Sequence, residues 1–150
     1  MINIVLYKPD IPQNTAAIVR LSACLSLKLH IIEPCGFNLD DSRFKRVAMD
    51  YAKLSPITRY SEFEDFKKKN NKSRIILLTT KARKFYYEFE FKTNDFLLFG
   101  RESAGVPEEI HNSTSDSLKV PLSKDARSLN VAMTVAVVAS EALRQNNFFI

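Results

Sequence analysis

The chain has 150 residues, 45% of them hydrophobic and 26% charged. That fits a single domain spanning 1–150 whose one core is large enough to need no disulfide or metal staple. A formal net charge of +5, from 22 Lys and Arg against 17 Asp and Glu, tilts expectation toward a polyanionic partner, while the lack of any apolar run of ~18 residues excludes a membrane-spanning helix.

Short β-rich runs alternate with helical patterns along the chain. The predicted strands are Ile2–Leu6, Leu29–Glu33, Pro56–Arg59, Ile75–Thr79, Phe96–Phe99 and Leu118–Leu122, several of them continuously apolar as in strands covered on both faces. The opening run lacks a basic region and a cleavage site, so it reads as a strand and not as a signal peptide. Helices are predicted over Thr15–Ser26, with Ile18, Leu21 and Leu25 at helical spacing, and over Asp40–Lys53, which opens on acidic residues. A third is expected over Ser61–Lys69, where Ser61 and Glu64 read as a capping box, and Pro107-Glu108-Glu109 reads as a first helical turn. Leu129–Gln145 is the longest predicted helix, with Leu129, Ala132, Met133, Ala136, Val137 and Leu143 on or near one face. The alternation argues for an α/β fold with a mostly parallel sheet flanked by helices.

Cys24 lies in the apolar helical pattern and reads as a small core residue. Cys24 and Cys35 form no C-x-x-C pair, and His30 and His111 lack ligand spacing, so no metal is expected. A reduced, cytoplasmic location follows as the default. The basic run Lys67-Lys68-Lys69 reads as a solvated helix end.

Three stretches concentrate polar chemistry beside strand ends. In Lys8-Pro9-Asp10-Ile11-Pro12-Gln13-Asn14-Thr15 two prolines stiffen the loop, and Asn14 or Thr15 is placed to cap the next helix. Arg20 follows within an otherwise apolar helix, where spacing alone suggests a solvated or ion-paired side chain. Two of the three glycines, Gly100 and Gly105, fall in Phe99-Gly100-Arg101-Glu102-Ser103-Ala104-Gly105-Val106-Pro107 after an apolar strand. That is either a plain strand-to-helix turn or a place for close approach of a ligand. No G-x-G-x-x-G follows the first strand, which argues against a dinucleotide fingerprint. The third stretch, Val120 to Asn130, joins a strand to the last helix. Ser128 there is either an N-cap or part of a helix start that faces a polar ligand.

Together and in this order, the three stretches resemble the motifs of the SPOUT class of RNA 2′-O-methyltransferases. Asn14-Thr15 with Arg20 is similar to the first motif. Phe99-Gly100-x-Glu102-x-x-Gly105-x-Pro107 is similar to the second, and Ser128-Leu129-Asn130 to the third. The likeness runs over essentially the whole chain, including Asn3-Ile4-Val5-Leu6-Tyr7 and His30-Ile31-Ile32-Glu33-Pro34, and is closest to the small tRNA (cytidine/uridine) wobble-position enzymes.

The resemblance implies an α/β domain with a C-terminal trefoil knot, a homodimer, S-adenosylmethionine as methyl donor and tRNA as substrate. It assigns Leu78, Gly100, Glu102, Val120, Ser128 and Leu129 to the methyl donor. It assigns Arg20, Asn14, Ser128 and Asn130 to the reaction, with Arg20 holding the ribose hydroxyl and stabilising the developing alkoxide, since a guanidinium stays protonated at neutral pH. Ala16 stands where members often carry glycine, and Ser140 where a tyrosine is frequent. The alternatives are a 2′-O-methyltransferase for another tRNA or rRNA position, a catalytically silent RNA-binding protein on the same fold, and a flavodoxin-like nucleotide-binding module.

Overall fold

The computed structural model describes residues 1–148, apart from the side chain of Met49. Seven strands form one sheet: β1 (Asn3–Tyr7), β2 (Lys28–Ile32), β3 (Ile57–Tyr60), β4 (Ile75–Leu78), β5 (Lys84–Phe85), β6 (Phe96–Phe99) and β7 (Asp116–Lys119). Their order is β3-β2-β1-β6-β4-β7-β5, and every neighbouring pair is parallel. Five α-helices accompany them among the described residues: α1 (Pro12–Cys24), α2 (Ser42–Ala52), α3 (Phe63–Lys69), α4 (Glu108–Ser113) and α5 (Val131–Gln145).

Period-two alternation sorts the strand side chains into two cores. Ile4 and Leu6 of β1, Ile76 and Leu78 of β4, and Leu97 and Phe99 of β6 join Ile18, Val135, Val138 and Leu143 of α1 and α5. Their sequence neighbours Val5, Tyr7, Leu77 and Leu98 join Phe63 and Phe66 of α3 and Ile110 of α4. Cover on both faces is what makes IILL and FLLF continuously apolar.

His30 is enclosed on the second face by Tyr60, Phe66 and Phe96. Asn3 spends its amide N–H groups on backbone carbonyls, which leaves Asn3 Oδ1 to accept from His30 Nε2 at 3.2 Å. His30 Nδ1 then accepts from the Tyr60 hydroxyl at 3.0 Å. Burial opposes the charged ring and the Lys28 ammonium adds to the effect, so its pKa is pushed down to about 4.

Several local expectations are corrected. α1 begins at Pro12, two to three residues before the expected caps; Pro12 supplies the preset φ of a first helical turn, so Asn14 and Thr15 lie inside the helix. α3 begins at Phe63 with Glu62 as its N-cap, and no capping box forms from Ser61 and Glu64. The last strand stops at Lys119, so Val120 to Leu122 belong to the loop, and α5 begins at Val131. Cys24 is exposed, because the inward face of α1 is Thr15, Ala16, Ile18, Val19 and Ser22. The expected face of α5 is right for Ala132 and Leu143, which are buried, and wrong for Met133 and Val137. Ala132, Val135, Ala139 and Ala142 face the core, while Met133 and Val137 face outward. The short edge strand β5 has no counterpart among the predicted strands.

Candidate functional site

β4, β6 and β7 end side by side, and their carboxyl ends open into a cavity of about 370 Å³. This is where an open parallel sheet presents loops to a ligand. Leu78 closes β4, Gly100 follows β6 and Val120 follows β7; all three line the cavity. The segment from 121 to 130 brings Ser128 and Leu129 to the same wall, and Glu102 completes it. Thus every residue assigned from sequence to the methyl donor lines one cavity. Of those assigned to the reaction, Asn14, Ser128 and Asn130 also line it.

The glycines act through the backbone. Arg101 and Gly105 exchange N–H···O bonds of 3.1 and 2.8 Å, folding the loop onto itself. A Cβ at Gly100 would lie 2.6 Å from the Gly105 backbone, so no other residue fits there, and Gly105 has a φ of +64°. The close approach at Gly100 is therefore between two parts of the same loop.

Side-chain amides join the three motifs. Asn130 is the N-cap of α5: its carbonyl oxygen accepts from the N–H groups of Ala132 and Met133 at 2.8 and 3.3 Å. This sets aside the N-cap reading of Ser128, one of its two readings; Asn130 stands directly before the helix, where the cap geometry is available. Asn130 Nδ2 donates to Asn14 Oδ1 at 2.9 Å, and Asn14 Nδ2 donates to Glu102 Oε1 at 3.3 Å. Glu102 Oε2 accepts from the Asp10 N–H at 2.9 Å, and the Glu102 N–H donates to Asp10 Oδ1 at 3.2 Å. Asp10 also accepts from the Ser103 hydroxyl and pairs with Arg101 at 3.4 Å.

The two carboxyl groups separate electrostatically. The hydrogen-bonding Glu102 carboxyl holds Asp10 down at about 2 against the effect of burial, with the Ser103 hydroxyl and Arg101 adding to it. Burial, reinforced by Asp10, pushes Glu102 up. Of the pair, Glu102 is therefore the readier to hold a proton. The first polar stretch contains Asp10 but assigns it no role, because no local spacing points to its partner across the sheet.

Ser128 is exposed and makes no hydrogen bond to another described residue, and the same holds for the backbone of Ser128 and Leu129. The cavity thus combines free backbone donors and acceptors with the apolar side chains of Leu78, Val120 and Leu129. Such a mixture suits a heterocycle with polar edges, and the volume falls in the usual ligand range. Arg20 stands apart. It does not line this cavity; it is exposed on α1, with its guanidinium 5.1 Å from the centroid of the Tyr51 ring on α2. Among the described residues no three His, Cys, Asp or Glu are grouped as metal ligands, and no helix is long and apolar enough to cross a membrane.

Residues 1–140 match the model of the SpoU rRNA Methylase family. A tRNA (cytidine(34)-2′-O)-methyltransferase of Ancylobacter novellus is 44% identical over 146 residues, covering 96% of this chain and 92% of the relative. The enzyme of that name from Escherichia coli K12 is 40% identical, covering 97% and 94%. A solved structure described as giving structural insights into the 2-OH methylation of C/U34 on tRNA superposes with a TM-score of 0.93, 37% identity and coverage of 98% and 97%.

Proposed function

This chain belongs to the SpoU rRNA Methylase family, and from that premise we propose that it transfers the methyl group of S-adenosylmethionine to the ribose 2′-hydroxyl of the wobble cytidine or uridine of tRNA. The observation that carries the reading is the likeness, over nearly the whole of both chains, to enzymes named for that reaction, combined with a cavity lined by parts of all three motifs.

The residues present fit the methyl donor. Leu78, Val120 and Leu129 would give its adenine an apolar wall, the free backbone groups at Ser128 and Leu129 would meet its polar edges, and Gly100 and Glu102 would close the second wall. The donor supplies an electrophilic methyl on a sulfonium. The ribose oxygen forms the new C–O bond as the C–S bond breaks; S-adenosylhomocysteine leaves and the hydroxyl proton passes to solvent.

Arg20 lies outside the cavity of its own protomer, so its role in this proposal, holding the hydroxyl oxygen and stabilising its developing negative charge, requires that it be delivered from the second copy of the homodimer. Ser128, exposed at the cavity wall, is free to hydrogen-bond the nucleotide. Asn14 and Asn130 position the motifs through each other and Glu102.

The same proposal includes a cytoplasmic homodimer and a knotted C-terminal portion. Exposed Met133 and Val137 on α5, with Leu129 and Ile11 beside the cavity, offer an apolar stripe for a second copy. Ala132, Ala139 and Ala142 of α5 are buried, so the larger outward side chains take the role. Ala16 is buried in the core facing the sheet, and Ser140 is exposed on α5. Sedimentation at micromolar concentration tests the dimer. Methyl transfer from labelled donor to tRNA, followed by nucleoside mass spectrometry, tests the activity. Label appearing at no wobble ribose would refute it.

A further inference from the structure

The far edge of the sheet, beside the cavity, carries a cluster that the proposed chemistry leaves unused. β5 is the outermost strand, paired to β7 with Phe85 opposite Lys119. The turn after it holds Tyr87 against Phe85, ring centroids 5.4 Å apart and planes 19° from parallel, with Tyr86 edge-on at 5.5 Å. Tyr87 is 52% exposed. A core aromatic would be covered, and a lone surface tyrosine would have no stacked ring behind it to fix its plane.

Cations surround the stack. Lys119 Nζ lies 5.1 Å from the Phe85 centroid, and Lys84 Nζ lies 5.0 Å from that of Phe89. Arg83 and Lys84 are exposed, and neither they nor Lys81 and Lys119 are in a salt bridge within the described residues. Glu88, the acid in the turn, is engaged by the Phe85 N–H at 3.1 Å. The basic run on α3 differs: Lys69 is paired with Asp65 at 3.2 Å, and Lys67 lies over Phe63. Lys119 also lines the cavity, so stack and cavity share a border.

We propose that Tyr87, backed by Phe85 and flanked by Arg83 and Lys84, is a stacking platform for an unpaired RNA base next to the nucleotide that is methylated. An aromatic face among unpaired cations is the recurring chemistry of single-stranded nucleic-acid grip: the ring takes a base and the cations take the phosphates on either side. The proposal rests on reading the chain as an RNA ribose methyltransferase, and it adds where the flanking loop is held.

The test measures the Kd of an anticodon stem-loop by fluorescence anisotropy and, separately, kcat and KM for its methylation. Tyr87→Ala weakens binding and raises KM about ten-fold, with kcat within about two-fold of the parent, because stacking of this kind is sequence-tolerant binding energy. S-adenosylhomocysteine affinity and the melting temperature stay unchanged, and Tyr87→Phe restores binding. Arg83→Ser with Lys84→Ser lowers the log–log salt slope by about 0.7 for each phosphate no longer neutralised. Unchanged Kd and KM in Tyr87→Ala, or no rescue by phenylalanine, would overturn the platform and leave the methyltransferase reading standing. A parent protein that binds the stem-loop through Tyr87 yet transfers no methyl group would support the platform and sink the enzymatic reading. A parent that binds no RNA would overturn the platform.

Discussion

Asn130 and Asn14 are 116 residues apart, yet their side-chain amides meet at 2.9 Å beside the cavity. Asn130 acts at both ends of its amide: its oxygen caps α5, and its nitrogen holds the first motif. Asn130→Ala removes both, and an N-cap alone contributes about 1 kcal/mol. Denaturant unfolding is expected to show a loss of about 1–2 kcal/mol, with weaker binding of S-adenosylhomocysteine. Asn130→Asp keeps the cap and loses the donor to Asn14. It recovers most of the stability and little of the methyl transfer. Equal recovery of both would mean that the bond to Asn14 is idle.

Burial of neutral His30 makes stability depend on pH. The unfolded chain takes a proton on this ring below its ordinary value of 6.5, whereas the folded chain resists until about 4. Between those values the unfolded state binds more protons, so stability rises with pH across that window and falls as pH drops through it, by up to roughly 3 kcal/mol. Glu102 acts with the opposite sign, because its folded pKa is raised. The test is therefore a comparison: the pH dependence of the melting temperature in His30→Gln against the parent. The slope between pH 4 and 6.5 should flatten in the variant; an unchanged slope would assign it elsewhere.

The two thiols should react at very different rates. Cys24 is exposed at the end of α1. Cys35 is partly buried, and burial with the nearby Glu33 carboxylate pushes its thiol up to about 12. Because the thiolate is the reactive form, native protein at pH 8 should show one fast reaction with an aromatic disulfide reagent, and Cys24→Ser should abolish it. A fast phase that survives in Cys24→Ser would contradict the burial of Cys35.

Cys24 also marks where sequence reading falls short. Apolar runs such as Ile75–Leu78 and Phe96–Phe99 announce buried strands because both faces are covered. Helix phase is less legible: in α1 and α5 apolar residues sit on both the inward and outward faces, so Cys24, Met133 and Val137 cannot be sorted from the pattern alone. The cofactor candidates converge on one cavity because they follow strand ends, which a parallel sheet gathers at one side. The amide chain from Asn130 through Asn14 to Glu102 is invisible locally, since its bonds span 116 and 88 residues. β5 is two residues long and is specified by pairing with β7, so no periodicity reveals it.

Arg20→Ala should nearly abolish methyl transfer while leaving donor affinity within a few-fold. The guanidinium lies over Tyr51 and does not line the donor cavity, so its loss leaves that cavity's walls in place. Removing one transition-state donor typically costs about 10²–10³ in rate. Calorimetry with S-adenosylhomocysteine and single-turnover methylation on the same variant separate the two effects. A parallel loss of binding and rate would make Arg20 a structural residue of the α1–α2 contact.

The substrate assignment predicts a block and a salt response. The target 2′-hydroxyl must be free and its nucleotide unpaired, because an anticodon loop exposes bases and ribose together while a packed A-form duplex shows its hydroxyls only along a shallow groove. Transfer RNA already 2′-O-methylated at the wobble ribose should therefore accept no further methyl group, whereas the unmodified tRNA is a substrate. Equal labelling of both would place the reaction at another nucleotide. The grip on the loop must come largely from phosphate neutralisation, for which the chain holds 22 Lys and Arg against 17 acidic residues. Each phosphate neutralised on a single strand steepens the log–log dependence of affinity on salt by about 0.7. A titration of binding from low to physiological salt should thus fall linearly on those axes, with a slope that reports how many phosphates the protein holds. A flat response would mean that shape and stacking hold the RNA without the excess positive charge.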